Sequence, residues 1–427
     1  MTAELWPAPY AAGPVHARLV LPGSKSVTNR ALLLAAVAEE PSRIGSPLRA
    51  RDTELMAGAL RALGVGVDDE GADWVVSPAP LRGPADIDCG LAGTVMRFVP
   101  PVAALAHGPV RMDGDARARE RPMSALLAAL RTLGVVVDDG GRGRLPVTLH
   151  GTGSVRGGEV TLDASASSQF VSALLLAGAR YDHGLDVRHV GPPVPSAPHL
   201  AMTVQMLRER GVEVDDSTAD RWVVHPGPVQ GLDTAVEPDL SNAAPFLAAA
   251  LVTGGRVHVR DWPARTTQAG DALRDLLTRL GGRCTLDGTG LTVEGGAGVA
   301  AADLDLHDVG ELAPVLLALT ALADGPSRLR GIGHLRGHET DRLAALAREV
   351  TALGGDVVET PDGLTVSPRP LHGGTFHTYG DHRMAHAGAV LGLAVPGVLV
   401  EDVATTRKTM PDFVGLWRDL LAGGVAA

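Results

Sequence analysis

A chain of 427 residues with 45% hydrophobic and 20% charged content is too long for one ordinary core and too apolar to be disordered, so two domains are expected. The net charge of -11 argues against general nucleic-acid binding, which needs a broad basic surface, but leaves room for a small anionic substrate in a local basic pocket. Cys89 and Cys284 stand too far apart to suggest a disulfide framework or a thiolate zinc site, the N-terminus lacks a basic n-region, and the longest apolar run, Ala313–Ala323, is far short of a membrane span. A cytoplasmic protein without a membrane partner is expected.

The first strong signal is Leu21–Arg30, LPGSKSVTNR, followed by the apolar run Ala31–Ala38. Pro22 and Gly23 are turn residues, Ser24 can cap a helix, and Lys25, Ser26 and Arg30 near its start suit an anion. The Walker pattern GxxxxGK[ST] is absent, so this is a phosphate-site candidate but not a nucleotide loop. Next comes LRALGVGVDD (Leu60–Asp69), a helix end, a glycine and a strand. The phrase returns at Leu130–Asp139 and Leu207–Asp216, more loosely at Leu277–Asp287 and Thr351–Glu359, and in truncated form at Leu420–Val425. The marker glycines are Gly64, Gly134, Gly211, Gly281, Gly354 and Gly424, spaced by roughly 70 residues. A second strand follows several copies, at Trp74–Val76, Trp222–Val224, Leu291–Val293 and Leu364–Val366. Six α/β units of this length point to two domains of three units each. His225–Glu237, rich in turn formers, marks the boundary.

Each unit also carries a polar or glycine-rich stretch opening an apolar helix, beginning near Lys25, Thr94, Ser168, Ser241, Glu311 and His382. Helix starts repeated in this way can turn their N-termini toward a shared cavity and make it favourable to anions. Between them lie Arg119, Glu120, Arg121 and Pro122, before a helix expected over 123–133, and His338–Arg342 (HETDR) and Asp381–Arg383 (DHR), each opening a helix. Arg407 and Lys408 precede Thr409–Phe413. Arginine suits bidentate capture of carboxylate or phosphate. His338 and His382 are not related by H-x-x-x-H spacing and have no cysteine partners, so no metal is expected.

In their order, LPGSKSVTNR, LAGTVMRF, ERP, SSQF, HETDR, YGDHRMA and RKTMPDF resemble the motifs of the 5-enolpyruvylshikimate-3-phosphate synthase family, from Leu21 to Phe413. The resemblance implies an α/β fold, a two-domain inverse α/β barrel with domains over 20–234 and 235–427, residues 1–19 packing on the second. It implies transfer of the enolpyruvyl group of phosphoenolpyruvate to the 5-hydroxyl of shikimate 3-phosphate, with release of phosphate, no cofactor and no metal, by a monomer whose domains close on the substrates. Carried over by position, Lys25, Ser26, Arg30, Ser167, Ser168, Ser196, Glu311 and His338 hold shikimate 3-phosphate. Lys25, Gly93, Arg121, Gln169, Arg342, Arg383 and Lys408 hold phosphoenolpyruvate. Glu311 is the general base, Glu339 or Lys408 protonates C3, and His382 assists in positioning or proton relay.

Several positions depart from the family pattern. Glu311 replaces a common Asp and keeps the carboxylate at longer reach, and His338 replaces a frequent Lys, making one charge dependent on pH. Leu91, Phe98 and His199 replace a frequent Asn, Pro and Tyr, which bears on glyphosate as an inhibitor. The sister UDP-N-acetylglucosamine enolpyruvyl transferases usually carry a cysteine in the loop corresponding to Gly114–Pro122, which has none here. RNA 3′-phosphate cyclases reuse related repeats but call for a basic surface and stacking aromatics.

Overall fold

The computed structural model describes residues 4–423, so the sixth marker glycine, Gly424, lies outside the described residues. The chain divides into two units, one spanning Gly23–Val236 and the other joining the residues up to Pro22 to those from Glu237 onward. The two are described separately.

The first unit holds α1 (Lys25–Ala36), α2 (Arg51–Ala62), α3 (Gly93–Ala103), α4 (Ser124–Thr132), α5 (Gln169–Gly178) and α6 (Ala197–Glu209). Ala31–Ala36, all of α3 and Phe170–Gly178 of α5 are buried, so these three helices are enclosed over most of their length and pack on one another. The amphipathic helices α2, α4 and α6 keep an exposed face. The second unit repeats this division. Helices α7 (Ala244–Thr253), α9 (Ala313–Ala321) and α11 (His382–Ala394) are buried and pack together, while α8 (Leu273–Arg279), α10 (Arg342–Ala352) and α12 (Phe413–Ala422) are partly exposed. Small residues make this close helix packing possible, which fits an aromatic share of only 3%.

Five four-stranded sheets share one strand pattern. In the example from the first unit, Ala85–Asp88 runs parallel to His107–Asp113, which is antiparallel to Val147–Thr152, which is antiparallel to Val136–Asp138. Two sheets are completed by distant segments. Thr234–Ala235 runs parallel to Ser42–Gly45 in the first unit, and His16–Leu19 runs parallel to Arg256–Arg260 in the second. A three-stranded sheet in the second unit pairs Leu5–Pro7 with Val398–Glu401 and Val398–Glu401 with Gly374–Phe376.

Gly64, Gly134, Gly211, Gly281 and Gly354 all take positive φ, from 77° to 95°, as a residue just past a helix end should. At α12 it is Gly423, with φ 69°, that forms the left-handed cap. Two expected helix starts lie later than the polar residues suggest. Ser241 and Glu311 precede α7 and α9, because Pro245 and Pro314 fit the first turn and fix where each helix begins. Glu311 instead sits in a 3-10 turn, Gly310–Leu312.

Candidate active site

In the first unit the site is built at the starts of the buried helices. Ser24 caps α1, its Oγ accepting from the Val27 N–H at 3.5 Å. A Cβ at Gly23 would stand 2.4 Å from the Ser46 carbonyl oxygen, so only glycine lets the chain pass there. Lys25 opens α1 with its ammonium 3.4 Å from a carboxylate oxygen of Asp52, which is buried in the first turn of α2. Arg30 turns inward and is 2% exposed. Its guanidinium donates to Thr203 Oγ1 (2.8 Å), Ser172 Oγ (3.4 Å) and the carbonyls of Ser26 (3.0 Å) and His199 (3.1 Å). These bonds leave one N–H of the five. Burial lowers the Arg30 pKa to about 9, with no carboxylate among these partners to offset it.

A second cluster gathers where α3 begins. Arg121 follows the short turn Ala118–Glu120 and lies over Gly93, so that a Cβ at Gly93 would stand 3.0 Å from each terminal guanidinium nitrogen. One turn along α3, Arg97 is 4% exposed and donates to Gln169 Oε1 at 2.8 Å. Burial, then the Arg121 charge, pushes the Arg97 pKa well down, and its Nε has no partner among the described residues. Two buried guanidiniums and a helix N-terminus form an anion receptor. Ser167 Oγ accepts from the Gln169 N–H at 3.3 Å and Ser168 stands at the N-cap of α5, while Ser196 takes the left-handed conformation (φ 59°) at the N-cap of α6. Arg97 carries no assignment in the sequence reading, although it lies inside the LAGTVMRF motif.

In the second unit Glu311 Oε1 accepts from Ser241 Oγ at 3.2 Å, and the Ser241 carbonyl accepts from Arg383 at 3.0 Å. Arg342, 3% exposed, makes a bidentate pair with Asp381, at 2.7 and 3.1 Å, and reaches His338 Nδ1 at 3.4 Å. Burial acts to lower the Arg342 pKa, but Asp381 and Glu339 outweigh it and the net shift is upward. Asp381 also caps α11 by accepting the Arg383 N–H at 2.9 Å.

Glu339 is the centre of this cluster. Its Oε1 is 2.5 Å from the Lys408 ammonium and its Oε2 is 3.1 Å from His382 Nδ1. Burial alone would raise the Glu339 pKa, yet Lys408 and His382 hold it well below the usual carboxylate range. Burial also lowers the His382 pKa, to about 4, against the opposing pull of Glu339. Glu339 is thus held toward its carboxylate form and His382 toward its neutral form. Oxygens of Glu339 and Asp381 and a nitrogen of His382 come within 4.8 Å of one another, a spacing three metal ligands can have. Both carboxylates are already engaged by Lys408 and Arg342, and a divalent ion would add charge beside these two cations.

Of the expected residues, Gly93 and Arg121 meet in the first unit, and His338, Glu339, Arg342, His382 and Lys408 meet in the second, while Ser168 and Ser196 stand at the N-caps of α5 and α6. Asp52, Arg97, Ser241 and Asp381 join them without having been singled out for a role. Asp381 was quoted within its motif, but its pairing with Arg342, 39 residues away, has no local signature.

The family model described as EPSP synthase (3-phosphoshikimate 1-carboxyvinyltransferase) matches residues 9–417. A 3-phosphoshikimate 1-carboxyvinyltransferase of Kocuria rhizophila is 57% identical over 430 residues, covering 98% of this chain and 97% of that one. Among solved structures, an EPSP synthase of Acinetobacter baumannii superposes with a TM-score of 0.81 at 24% identity, covering 100% of this chain and 99% of that one. The enolpyruvyl transferase NikO of Streptomyces tendae gives 0.77 at 20% identity, with 96% of each chain covered. Those two likenesses speak to the fold alone. With the family match running through nearly every motif described above, the chain belongs to the EPSP synthase (3-phosphoshikimate 1-carboxyvinyltransferase) family.

Proposed function

We propose that this chain transfers the enolpyruvyl group of phosphoenolpyruvate to the 5-hydroxyl of shikimate 3-phosphate and releases phosphate. Both substrates are anions, and the cations at the helix starts offset their repulsion. For phosphoenolpyruvate the first unit offers Arg121 over Gly93, backed by Arg97 and Gln169, and the second unit offers Arg342, Arg383 and Lys408. Lys25, Ser26, the remaining N–H of Arg30, Ser167, Ser168, Ser196 and His338 receive shikimate 3-phosphate. In the addition step the hydroxyl oxygen bonds to C2, its proton passes to Glu311, and C3 takes a proton. In the elimination step C3 gives up one of the three hydrogens of the methyl group as a proton, the C2–O bond to phosphate breaks, and phosphate leaves with the proton held by Glu311.

The observation that supports this division of labour is the buried Glu339–Lys408–His382 array. Glu339 held ionised has no proton to give, so Lys408 is the donor to C3 and Glu339 keeps its ammonium in place. Among the described residues no helix is long and apolar enough to cross a membrane. This reading includes a monomer in the cytoplasm, without nucleic-acid partners, and inhibition by glyphosate. The test is a phosphate-release assay with phosphoenolpyruvate and either shikimate 3-phosphate or UDP-N-acetylglucosamine. Release is expected with the first acceptor only; release with the second alone, or with neither, overturns the reading.

A further inference from the structure

His386 is a buried titratable group that the reaction above does not use. It lies one turn after His382 on α11 and is 0% exposed. Its ring stacks on Phe413 at 5.0 Å and 29°, and Phe413 in turn stacks on Trp417 at 5.4 Å. An apolar side chain would fill this place without the cost of buried ring nitrogens. Yet neither nitrogen of His386, nor Nε2 of His382, has a partner among the described residues.

The two imidazoles stand 5.9 Å apart between centroids and nearly perpendicular, at 87°. No direct hydrogen bond joins them among the described residues, and a water can bridge polar groups that do not bond directly. A buried water needs two to four polar partners, and these two neighbouring rings carry three nitrogens without partners among the described residues. We propose that His386 is a positioning residue for the reaction, acting through His382. In this arrangement the His386 N–H donates to a water held between the rings, and the water donates to His382 Nε2. That bond makes Nε2 an acceptor and fixes the tautomer of His382 that donates from Nδ1 to Glu339, the arrangement that keeps Glu339 aligned on Lys408. The charged groups around the pair favour a neutral bridge. His382 feels the charges of Glu339, Asp381 and Arg383, and burial, then the nearby arginines Arg383 and Arg342, holds His386 toward its neutral form.

The inference rests on the reading that His382 serves the enolpyruvyl transfer, and its test separates the two. Nitrogen-15 spectra of the histidines in the substrate-free enzyme are expected to show His382 protonated on Nδ1 and His386 neutral. Steady-state kinetics should then show His386→Leu lowering kcat about tenfold, a small part of what a proton-transfer group contributes. KM for phosphoenolpyruvate should stay within about twofold, and His386→Gln, which keeps a donor, should recover most of kcat. A wild-type His382 protonated on Nε2 overturns the proposal, and that spectrum decides even where the Leu variant fails to fold. So does a Leu variant with wild-type kcat and an unchanged His382 signal, or a Gln variant as impaired as the Leu one, which would reduce His386 to packing. Inactivity of the wild-type enzyme with both substrates would refute the functional reading and leave the tautomer result standing.

Discussion

Lys408 Nζ stands 2.5 Å from Oε1 of Glu339, with both side chains less than 10% exposed. A pair so deeply buried functions as one unit, because removing either partner leaves the other's charge uncompensated. Lys408→Ala and Glu339→Gln are each expected to lower kcat by about a hundredfold or more, and the double variant to lose little beyond the worse single one. A double-mutant cycle in kcat reads this directly. Additive losses would show two independent roles and contradict the shared one.

Glu311 accepts from Ser241, and its charge acts on Arg342 and Arg383; as the proposed general base, its substitution should act on chemistry more than on binding. Glu311→Ala is expected to lower kcat by about a hundredfold or more while KM for phosphoenolpyruvate changes several-fold at most. A rise in KM with kcat preserved would assign Glu311 to binding alone.

Gly93 and Arg121 make a steric prediction. A methyl group at Gly93 meets the guanidinium at 3.0 Å, so Arg121 must give way by a few tenths of an ångström. Gly93→Ala is expected to weaken glyphosate by about tenfold or more and phosphoenolpyruvate less, the scale of one methyl group in a tight pocket. Inhibition kinetics measure both, and equal losses would refute the difference.

Acid should destabilise the second unit. The folded chain lowers the His382 pKa from its ordinary 6.5 to about 4, so between these values the unfolded chain binds more protons. The stability from neutral His382 is thus fully present above pH 6.5 and is lost as pH falls toward 4, on the order of 3 kcal/mol. His334, also lowered to about 4 by burial, acts in the same direction. Melting temperatures across pH 4–7 should fall on the acid side, and less steeply for His382→Asn. Identical slopes for the two proteins would exclude His382 as a source.

What the sequence made legible was local. Ser24 caps its helix, and the five marker glycines among the described residues take positive φ, because caps and turns depend on neighbours a few residues away. The residue types of both clusters were legible too, since an anion site needs arginines and helix starts. The pairings were not. Lys25 meets Asp52 across 27 residues, Arg97 meets Gln169 across 72, and Lys408 meets Glu339 across 69, so each depends on how buried helices and turns pack. Which of Glu339 and Lys408 gives the proton to C3 is not legible in the sequence; Lys408 is proposed from the lowered Glu339 pKa in the buried pair. His386 reads from sequence as one more residue on an apolar helix, and only its stacking on Phe413 and its bare nitrogens set it apart.

The most direct measurement of the proposed chemistry is the fate of the C3 protons. Turnover of phosphoenolpyruvate and shikimate 3-phosphate in D2O, followed by proton NMR of the enolpyruvyl methylene, reports addition and elimination through a protonated C3. The wild-type enzyme is expected to place solvent deuterium in the methylene group, and Lys408→Ala to form product and exchange deuterium at no more than about a hundredth of that rate. A wild-type product free of deuterium, or undiminished exchange in the Lys408 variant, would contradict Lys408 as the group that carries the proton to C3.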